Sequence, residues 1–577
     1  MVRKHVYGKR RAAVPSFAMS DVFSRSSPLK PPPSAVNDAV DAATKELEHL
    51  ALSGDHKNDE ENQTQKSPPK PRPALTTKNT NVPPPSAPVR KKSAPARKAK
   101  TKAADEPLLD STAPTHKPEP QPADETLLES ITVLPRRPRT APTPKPLTAP
   151  PLDPYLAPLL TLAALPSPTA FDTWTTTLAT HFSIAKIAEG SYSEVYRLTP
   201  HNGGECSVLK LLALRPDPTI KGKRKSPARL AREAAMSTPA AVATETRLLQ
   251  RLAPIPGFSD FRALHVLRGP PGGAFVEAWR SWNKARPAAD KSGFADPGRK
   301  GVYDEAQVWA VIEMQDAGVD VESLTERGWW SVWAVWDVFW QVALAVAKGE
   351  GEARFEHRDL HLGNICVKSA RGGTLERPVV KGVGGRLGFT GLEVTVIDYT
   401  LSRAEMPLPP GASGDGEESA EVAYFDLETE EAIFEGDGDV EYQYDIYRYM
   451  RSAMYFSDPL ARFDAKKAEG TGRKWLGFHP QTNLVWLHFV LRQLLANFPA
   501  WSQEDEEAKM AKVGVLGEKE DVVMARQKMV ALEAALRQME AMLDVSSMPR
   551  EGLACVRDLV AIALEEEWLG EEDVVGC

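Results

Sequence analysis

His357, Arg358 and Asp359 stand together, and Asn364 follows five positions after the aspartate. A carboxylate held on a loop can take the proton of an acceptor hydroxyl within hydrogen-bond reach. One loop turn later, a side-chain amide oxygen can hold a magnesium ion that also touches nucleotide phosphates. Asp359 fits the first task and Asn364 the second, so phosphoryl transfer to a hydroxyl is the chemistry to look for. Four fixed residues also coincide by accident on protein surfaces. The reading therefore depends on finding the partners of such chemistry, in order, along the chain.

Lys210 sits in the apolar, strand-like run Cys206–Leu212, where an unpaired ammonium is costly. A lysine on the solvated face of a half-buried strand is the alternative. Glu245 belongs to a helix-forming segment and shares a face with Leu248, Leu249 and Leu252. An acid on an inward face needs a cation, so Glu245 is assigned to Lys210. Glu233, beside the basic stretch Lys221–Arg232, is the poorer candidate. Asp398 closes the strand-like segment Val394–Thr400, where a second metal carboxylate belongs. Lysine, glutamate, aspartate, asparagine and aspartate thus occur in the order of a protein kinase, and residues 357–364 match its H-R-D-x-x-x-x-N loop.

These side chains need a scaffold. Residues 182–198 read as two strands joined by a tight turn at Gly190, with Tyr192 at the tip. A kinase carries a glycine-rich loop over the phosphates at this point. Here Ala188 and Ser193 replace the flanking glycines, which still lets the backbone approach a phosphate. Ile187 and Val195 would flank ATP. Strands are expected at Phe261–Leu267 and Phe275–Trp279, and a buried strand at 308–316. That last strand would lead into the hinge, with Met314 guarding the back pocket, Gln315 and Asp316 beside the adenine and Asp320 near a ribose hydroxyl. Trp329, Trp330, Trp333, Trp336, Phe339 and Trp340 make 329–347 a helix apolar on nearly every face, and such a helix is buried and central. The triplet at 398–400 is Asp-Tyr-Thr, and its β-branched threonine predicts a stiff metal site that works without loop phosphorylation. His361 stands where Ser/Thr kinases commonly have lysine. Asp415–Glu421 reads as a solvated acidic face, whereas Gly436–Asp439 reads as a turn presenting Asp437 and Asp439 together to a basic peptide. Residues 371–391, 404–421 and the acidic 504–520 read as solvent loops. Helices at 523–543 and 554–568 are expected to pack on the lower lobe.

The stretches R-F-E-H-R-D-L-H-L-G-N (354–364), I-D-Y-T-L-S-R (397–403), F-E-G-D-G-D (434–439), Y-D-I-Y-R (444–448) and H-P-Q-T-N-L-V-W-L-H (479–488) together resemble the haspin family of atypical Ser/Thr protein kinases, over roughly residues 180–545. V-Y-G-K-R-R near the start is reminiscent of its fungal members. The resemblance implies an α+β, bilobal protein-kinase-like fold with a β-rich N-lobe and a helical C-lobe. It implies ATP and Mg2+ as cofactors, Asp359 as base, Asn364 and Asp398 as metal ligands, and Lys210 with Glu245 as phosphate clamp. It further implies a threonine near the N-terminus of histone H3 as the acceptor in mitosis, met by Asp437, Asp439 and Glu189. A nuclear, chromosome-associated monomer follows, recruited to chromatin through its tail. A pseudokinase scaffold and a small-molecule phosphotransferase of kinase-like fold remain open alternatives, and a Pro-rich interaction module can coexist with catalysis.

The 577 residues carry a formal net charge of −7, which excludes a uniformly basic nucleic-acid binder. Residues 1–165 are rich in Pro, Ser, Ala, Lys and Thr, a composition that cannot bury enough apolar area to offset chain entropy. They are expected to be a disordered regulatory tail, with a short helical stretch at 40–52 and basic clusters suited to nuclear import or loose phosphate contact. The N-lobe with its hinge would then span 166–316, with folded structure from about Phe171, and the C-lobe 317–577. Cys206, Cys366, Cys555 and Cys577 are far apart and form no zinc or disulfide framework, which predicts a reducing compartment. No apolar run is long enough to span a bilayer, and the start lacks the apolar core of a secretory signal.

Overall fold

The computed structural model describes residues 153–577, apart from 221–225, 326–329, 373–374, 377–379, 381, 408–419, 498–502, 513, 517–518, 549–551 and 577. The tail before 153, with its basic clusters and the stretch at 40–52, lies outside the described residues, as do Trp329 and most of the Asp415–Glu421 acidic run.

Folded structure begins before Phe171. Helix α1 (Ala157–Leu162) buries Leu159 and Leu160, with Leu156 just ahead of it. The leucines at i, i+3 and i+4 form an apolar face that the flanking prolines disguise. Short strand β1 (Thr169–Ala170) and helix α2 (Phe171–Ala179) follow. The N-lobe continues with β2 (Phe182–Glu189), β3 (Ser193–Pro200), β4 (Ser207–Ala213), helix α3 (Pro239–Leu252), β5 (Phe261–Arg268), helix α4 (Gly273–Ala285) and β6 (Val308–Gln315). The strands form one six-stranded sheet in the order β1-β5-β6-β4-β3-β2, antiparallel except for β1 beside β5. The strand expected at Phe275–Trp279 is instead part of helix α4. Phe275, Ala278 and Trp279 are its buried residues, and their i, i+3, i+4 spacing is helical. A five-residue stretch cannot separate the two periods without its flanks.

Strand alternation sends side chains to two sides of the sheet. Leu209 and Leu211 of β4 join a small core with Phe171, Tyr196, Phe275 and Trp309. Leu212 joins the main core, to which Leu248, Leu249 and Leu252 of α3 also belong. Lys210, two residues before Leu212, is therefore turned toward α3. That is how an ammonium in an apolar strand meets a glutamate on a helix.

The second half starts with β7 (Val319–Asp320) and the helix α5 (Val332–Ala353), in which Trp333, Trp336 and Trp340 are wholly buried. The ring-rich stretch is a central strut, as its all-round apolar character requires. Strands β8 (Ile365–Ser369) and β9 (Leu392–Val396) pair antiparallel, with β7 on the outer side of β8. Strands β10 (Arg403–Glu405) and β11 (Val422–Tyr424) pair with each other. Helices α6 (Gln443–Phe456), α7 (Gln481–Ala496), α8 (Gln503–Lys512), α9 (Lys519–Leu543) and α10 (Val556–Glu565) complete the lobe. No described helix is long and apolar enough to cross a membrane.

Two segments expected to be solvent loops are anchored. Gly388, Phe389 and Thr390 donate backbone N–H groups to the buried carboxylate of Asp337 on α5, and Phe389 is itself buried. The acidic 504–520 stretch contains α8, whose Glu506 and Glu507 are buried, with Glu507 paired to Arg526 of α9. Glycines and acids signal exposure only when nothing in the fold needs an acceptor or a close approach.

The C-terminal helices pack on the lobe through an acid. Glu350 of α5 accepts hydrogen bonds from Asn483 Nδ2 of α7 and the Val556 N–H of α10. Burial pushes its carboxyl up to about 8. The unfolded chain therefore loses this proton first as pH rises, and stability drawn from the group falls between about pH 4.5 and 8. Urea unfolding across that range should show Glu350→Gln gaining on the wild type as pH rises. A difference that stays flat with pH would contradict this.

Candidate active site

Lys210 is the junction of the site. Its ammonium donates to Glu245 Oε1 at 2.5 Å, Asp398 Oδ1 at 3.0 Å and Thr400 Oγ1 at 3.3 Å. Burial alone would depress this lysine, but Asp398 and Glu245 outweigh it and hold the ammonium charged. Burial likewise opposes the Asp398 carboxylate, yet Lys210 and the Thr400 hydroxyl keep it well below the usual range. Glu233, the rejected alternative, pairs with Arg229 at 2.9 Å.

Asp398 is in the left-handed region, with φ 62°, and so is Arg358, with φ 65°. Such strain at a non-glycine residue persists only where the surroundings fix it. Around Asp398 the fixing residue is Tyr399, fully buried, whose hydroxyl donates to Val396 O and accepts from the Ser259 N–H. Beside Thr400, from which stiffness is expected, Tyr399 adds a buried anchor to this segment. Thr400 Oγ1 itself donates to Asp398 Oδ1 at 2.6 Å.

His357 ties this carboxylate to the catalytic loop. Its Nδ1 accepts from the Asp359 N–H at 3.3 Å, which leaves Nε2 to donate to Ile397 O at 3.1 Å. Burial holds the ring neutral, with its pKa pushed down to about 4. Asn364 Nδ2 donates to Asp359 O at 2.8 Å, so its amide oxygen is turned away and available to a cation. Asp359 Oδ1 accepts from Tyr447 Oη at 2.5 Å and from Gln443 Nε2 at 3.3 Å. Among the described residues, Oδ2 has Asn364 Nδ2 at 3.5 Å and His361 at 4.0 Å, and is the oxygen open to an acceptor hydroxyl. Burial raises the Asp359 carboxyl to about 6. Tyr447 and Gln443 escaped sequence reasoning. The contacts of Tyr447 and Gln443 with Asp359 span 88 and 84 residues, and no local pattern announces them.

The remaining expected positions divide. Gly190 closes the β2–β3 turn by donating its N–H to Ser193 O at 2.8 Å. Ile187 falls at the register shift between Lys186 and Ala188, and Val195 pairs with Lys210 across the sheet. Met314 and Gln315 end β6, where Gln315 N–H donates to Asp260 O. Asp316 follows β6 in the hinge, where backbone groups are expected to read the adenine, and its carboxylate is engaged by Arg197 at 2.6 Å and the Gly318 N–H. Its side chain shapes the hinge turn. Asp320 accepts from the N–H and the hydroxyl of Ser323, capping the next short helix. Glu189 is also committed: Lys186 and Ser292 hold Oε1, and the Gly293 N–H holds Oε2. Its carboxylate anchors the turn to the segment after α4. Asp437 and Asp439 are exposed on one turn, with Asp437 Oδ1 accepting the Asp439 N–H. Neither Gly436 nor Gly438 has positive φ. They are glycines because a β-carbon would overlap the Tyr444 ring and the Asp445 carboxylate respectively.

The donor set fits magnesium. Asp398 retains an unengaged oxygen on a side chain 36% exposed, and Asn364 adds a neutral amide oxygen. Few protein oxygens, with the rest of the shell left to phosphate and water, is the arrangement this hard cation takes.

A family model described as haspin-like kinase domain matches residues 167–537. The chain belongs to that family. It is 27% identical over 328 residues to the serine/threonine-protein kinase haspin homolog of Drosophila melanogaster, covering 54% of this chain and 48% of the fly protein. It is 28% identical to mouse serine/threonine-protein kinase haspin, covering 54% and 35%. The haspin homolog of Schizosaccharomyces pombe is 25% identical, with 54% and 55% covered. The chain thus spans between about a third and just over half of these relatives' lengths. The haspin-like domain begins close to β1 and takes in every candidate site residue, so the bilobal α+β expectation holds.

Proposed function

We propose that this haspin-family chain is an ATP-dependent serine/threonine protein kinase acting on basic peptides. The observation that carries the reading is the Lys210 junction: one ammonium joins β4, α3 and the Asp398 segment, with Asp359 linked to that segment through His357. Magnesium held by Asn364 and Asp398 would neutralise phosphate charge on the nucleotide. Lys210 orients phosphates, and Glu245 keeps Lys210 in place. Asp359 Oδ2 accepts the proton of the acceptor hydroxyl, while Tyr447 and Gln443 hold the other oxygen.

Activity without loop phosphorylation is part of the proposal. Arg358, next to the base, is already paired with Glu356 and donates to Phe425 O and Trp475 O, so it needs no added phosphate. The acidic turn at Asp437 and Asp439 favours a cationic tail, and with the family resemblance it supports a threonine near the N-terminus of histone H3 as acceptor. Action on chromosomes in the nucleus during mitosis, with recruitment through the tail, belongs to the same proposal. The test is transfer of labelled phosphate from ATP and magnesium to a basic threonine peptide by phosphatase-treated protein. Asp359→Asn should lower the rate about 10³-fold. A variant as active as wild type, or no transfer by wild type, would refute the reading.

A further inference from the structure

The first two turns of α6 touch both ends of the site. Tyr447 reaches the base, and it is immobile: it is wholly buried, its ring packs edge-on against Trp486 of α7 at 5.2 Å, and Gln443 donates to its hydroxyl at 3.2 Å. The next residue, Arg448, points to the acidic turn. Its guanidinium donates to Phe434 O at 3.0 Å and Gly436 O at 2.7 Å, and is itself held by Asp445 at 2.6 Å. Tyr444 and Asp445, on the same turns of helix, are the groups against which Gly436 and Gly438 lie without room for a β-carbon. The turn bearing Asp437 and Asp439 is therefore fastened to α6 by hydrogen bonds on one flank and by close packing on the other.

We propose that α6 is a ruler: it fixes the separation between the oxygen that receives the hydroxyl proton and the carboxylates that receive a cationic side chain, and so selects peptides with one spacing between acceptor and cation. The inference rests on the kinase reading and deepens it to a specificity rule. Tyr447 and Arg448 are adjacent on a helix, where neighbouring residues differ by about 1.5 Å along the axis and cannot slide. An extended peptide advances about 3.3 Å per residue and alternates its side chains between faces. Moving the cation by one residue relative to the acceptor therefore displaces it by that step and turns it away from the acids. Arg448 and Tyr447 are positioning residues in this scheme. Arg448 sets where the acids stand, and Tyr447 sets which carboxylate oxygen of Asp359 faces the hydroxyl.

The test uses the full chain with ATP, magnesium and a series of threonine peptides, each with a single arginine at a different offset in a neutral background. The readout is the ratio of kcat/KM between the best offset and its neighbours, which does not depend on overall rate. Wild type should prefer one offset by about tenfold or more, the effect of one well-placed charged hydrogen bond. Arg448→Met should collapse that ratio toward unity, chiefly through KM. Tyr447→Phe should lower kcat on every peptide and leave the ratio intact. Gly436→Ala displaces the same turn from its other flank and serves if Arg448→Met does not fold. A folded Arg448→Met or Gly436→Ala protein that keeps the wild-type ratio overturns the ruler. Equal use of all offsets by wild type overturns it too and leaves the kinase reading standing. Transfer to no peptide at all removes both.

Discussion

Asp398→Asn is expected to reduce phosphate transfer by on the order of 10² to 10³-fold, the usual cost of removing one preorganised charged group from such a site. The loss should be catalytic rather than structural. Asparagine is among the few residues that tolerate the left-handed backbone found at φ 62°. Its amide oxygen can still accept from Thr400, and Lys210 keeps Glu245 as partner. What disappears is the anionic oxygen available to a cation. Steady-state transfer assays beside urea unfolding check both halves. A variant retaining more than a tenth of the activity, or one that unfolds at much lower urea, would contradict the role given to Asp398.

The second large effect is on stability. Glu356→Gln should cost about 3–5 kcal/mol of unfolding free energy, because it leaves a buried guanidinium without its counter-charge. Glu356 and Arg358 have side chains 0% exposed. Glu356 Oε2 accepts from Arg358 and from Thr482 Oγ1, and Oε1 accepts from the His479 N–H. A glutamine would put an amide N–H against one of these donors. Burial already lowers the Arg358 pKa against the pull of Glu356, so loss of that pull is felt directly. The pair also seats the strained φ of Arg358, and α7 enters through Thr482 and Asn483, the latter accepting from the His357 N–H. Chemical denaturation monitored by tryptophan fluorescence measures the loss. A change below about 1 kcal/mol would show that Arg358 finds compensation elsewhere.

Much of the site was readable because it depends on short-range spacing. The interval from Asp359 to Asn364 is one loop turn, and the leucines around Glu245 report the inward face of α3 within two turns. Lys210 was readable because an ammonium in an apolar strand requires a partner. Other features depend on where distant segments meet, which local pattern does not encode. Asp316, Asp320 and Glu189 are acids in suitable places along the chain, and each also binds a neighbour that local pattern does not announce: Arg197, Ser323 and Ser292. Capping and turn closure leave the same residue type as ligand binding does. Gln443 and Tyr447 were invisible as supports of the base for the complementary reason, since nothing local connects a helix at 443 to a loop at 359. Residues 371–391 were misjudged because the requirement lies on Asp337, a buried carboxylate that needs donors and obtains them from that segment's backbone.

Those long-range contacts join the transfer centre to the acidic turn, and that union is the core of the account. Its most direct test is the initial rate of phosphate transfer by the full chain to a threonine peptide carrying arginine, compared with a twin carrying uncharged citrulline, for wild type and for Asp437→Asn with Asp439→Asn. Wild type should phosphorylate the arginine peptide at least about tenfold better in kcat/KM, and the double variant should lose that preference while still using the citrulline peptide. Equal use of the two peptides by wild type, or a preference that survives removal of both acids, would contradict it.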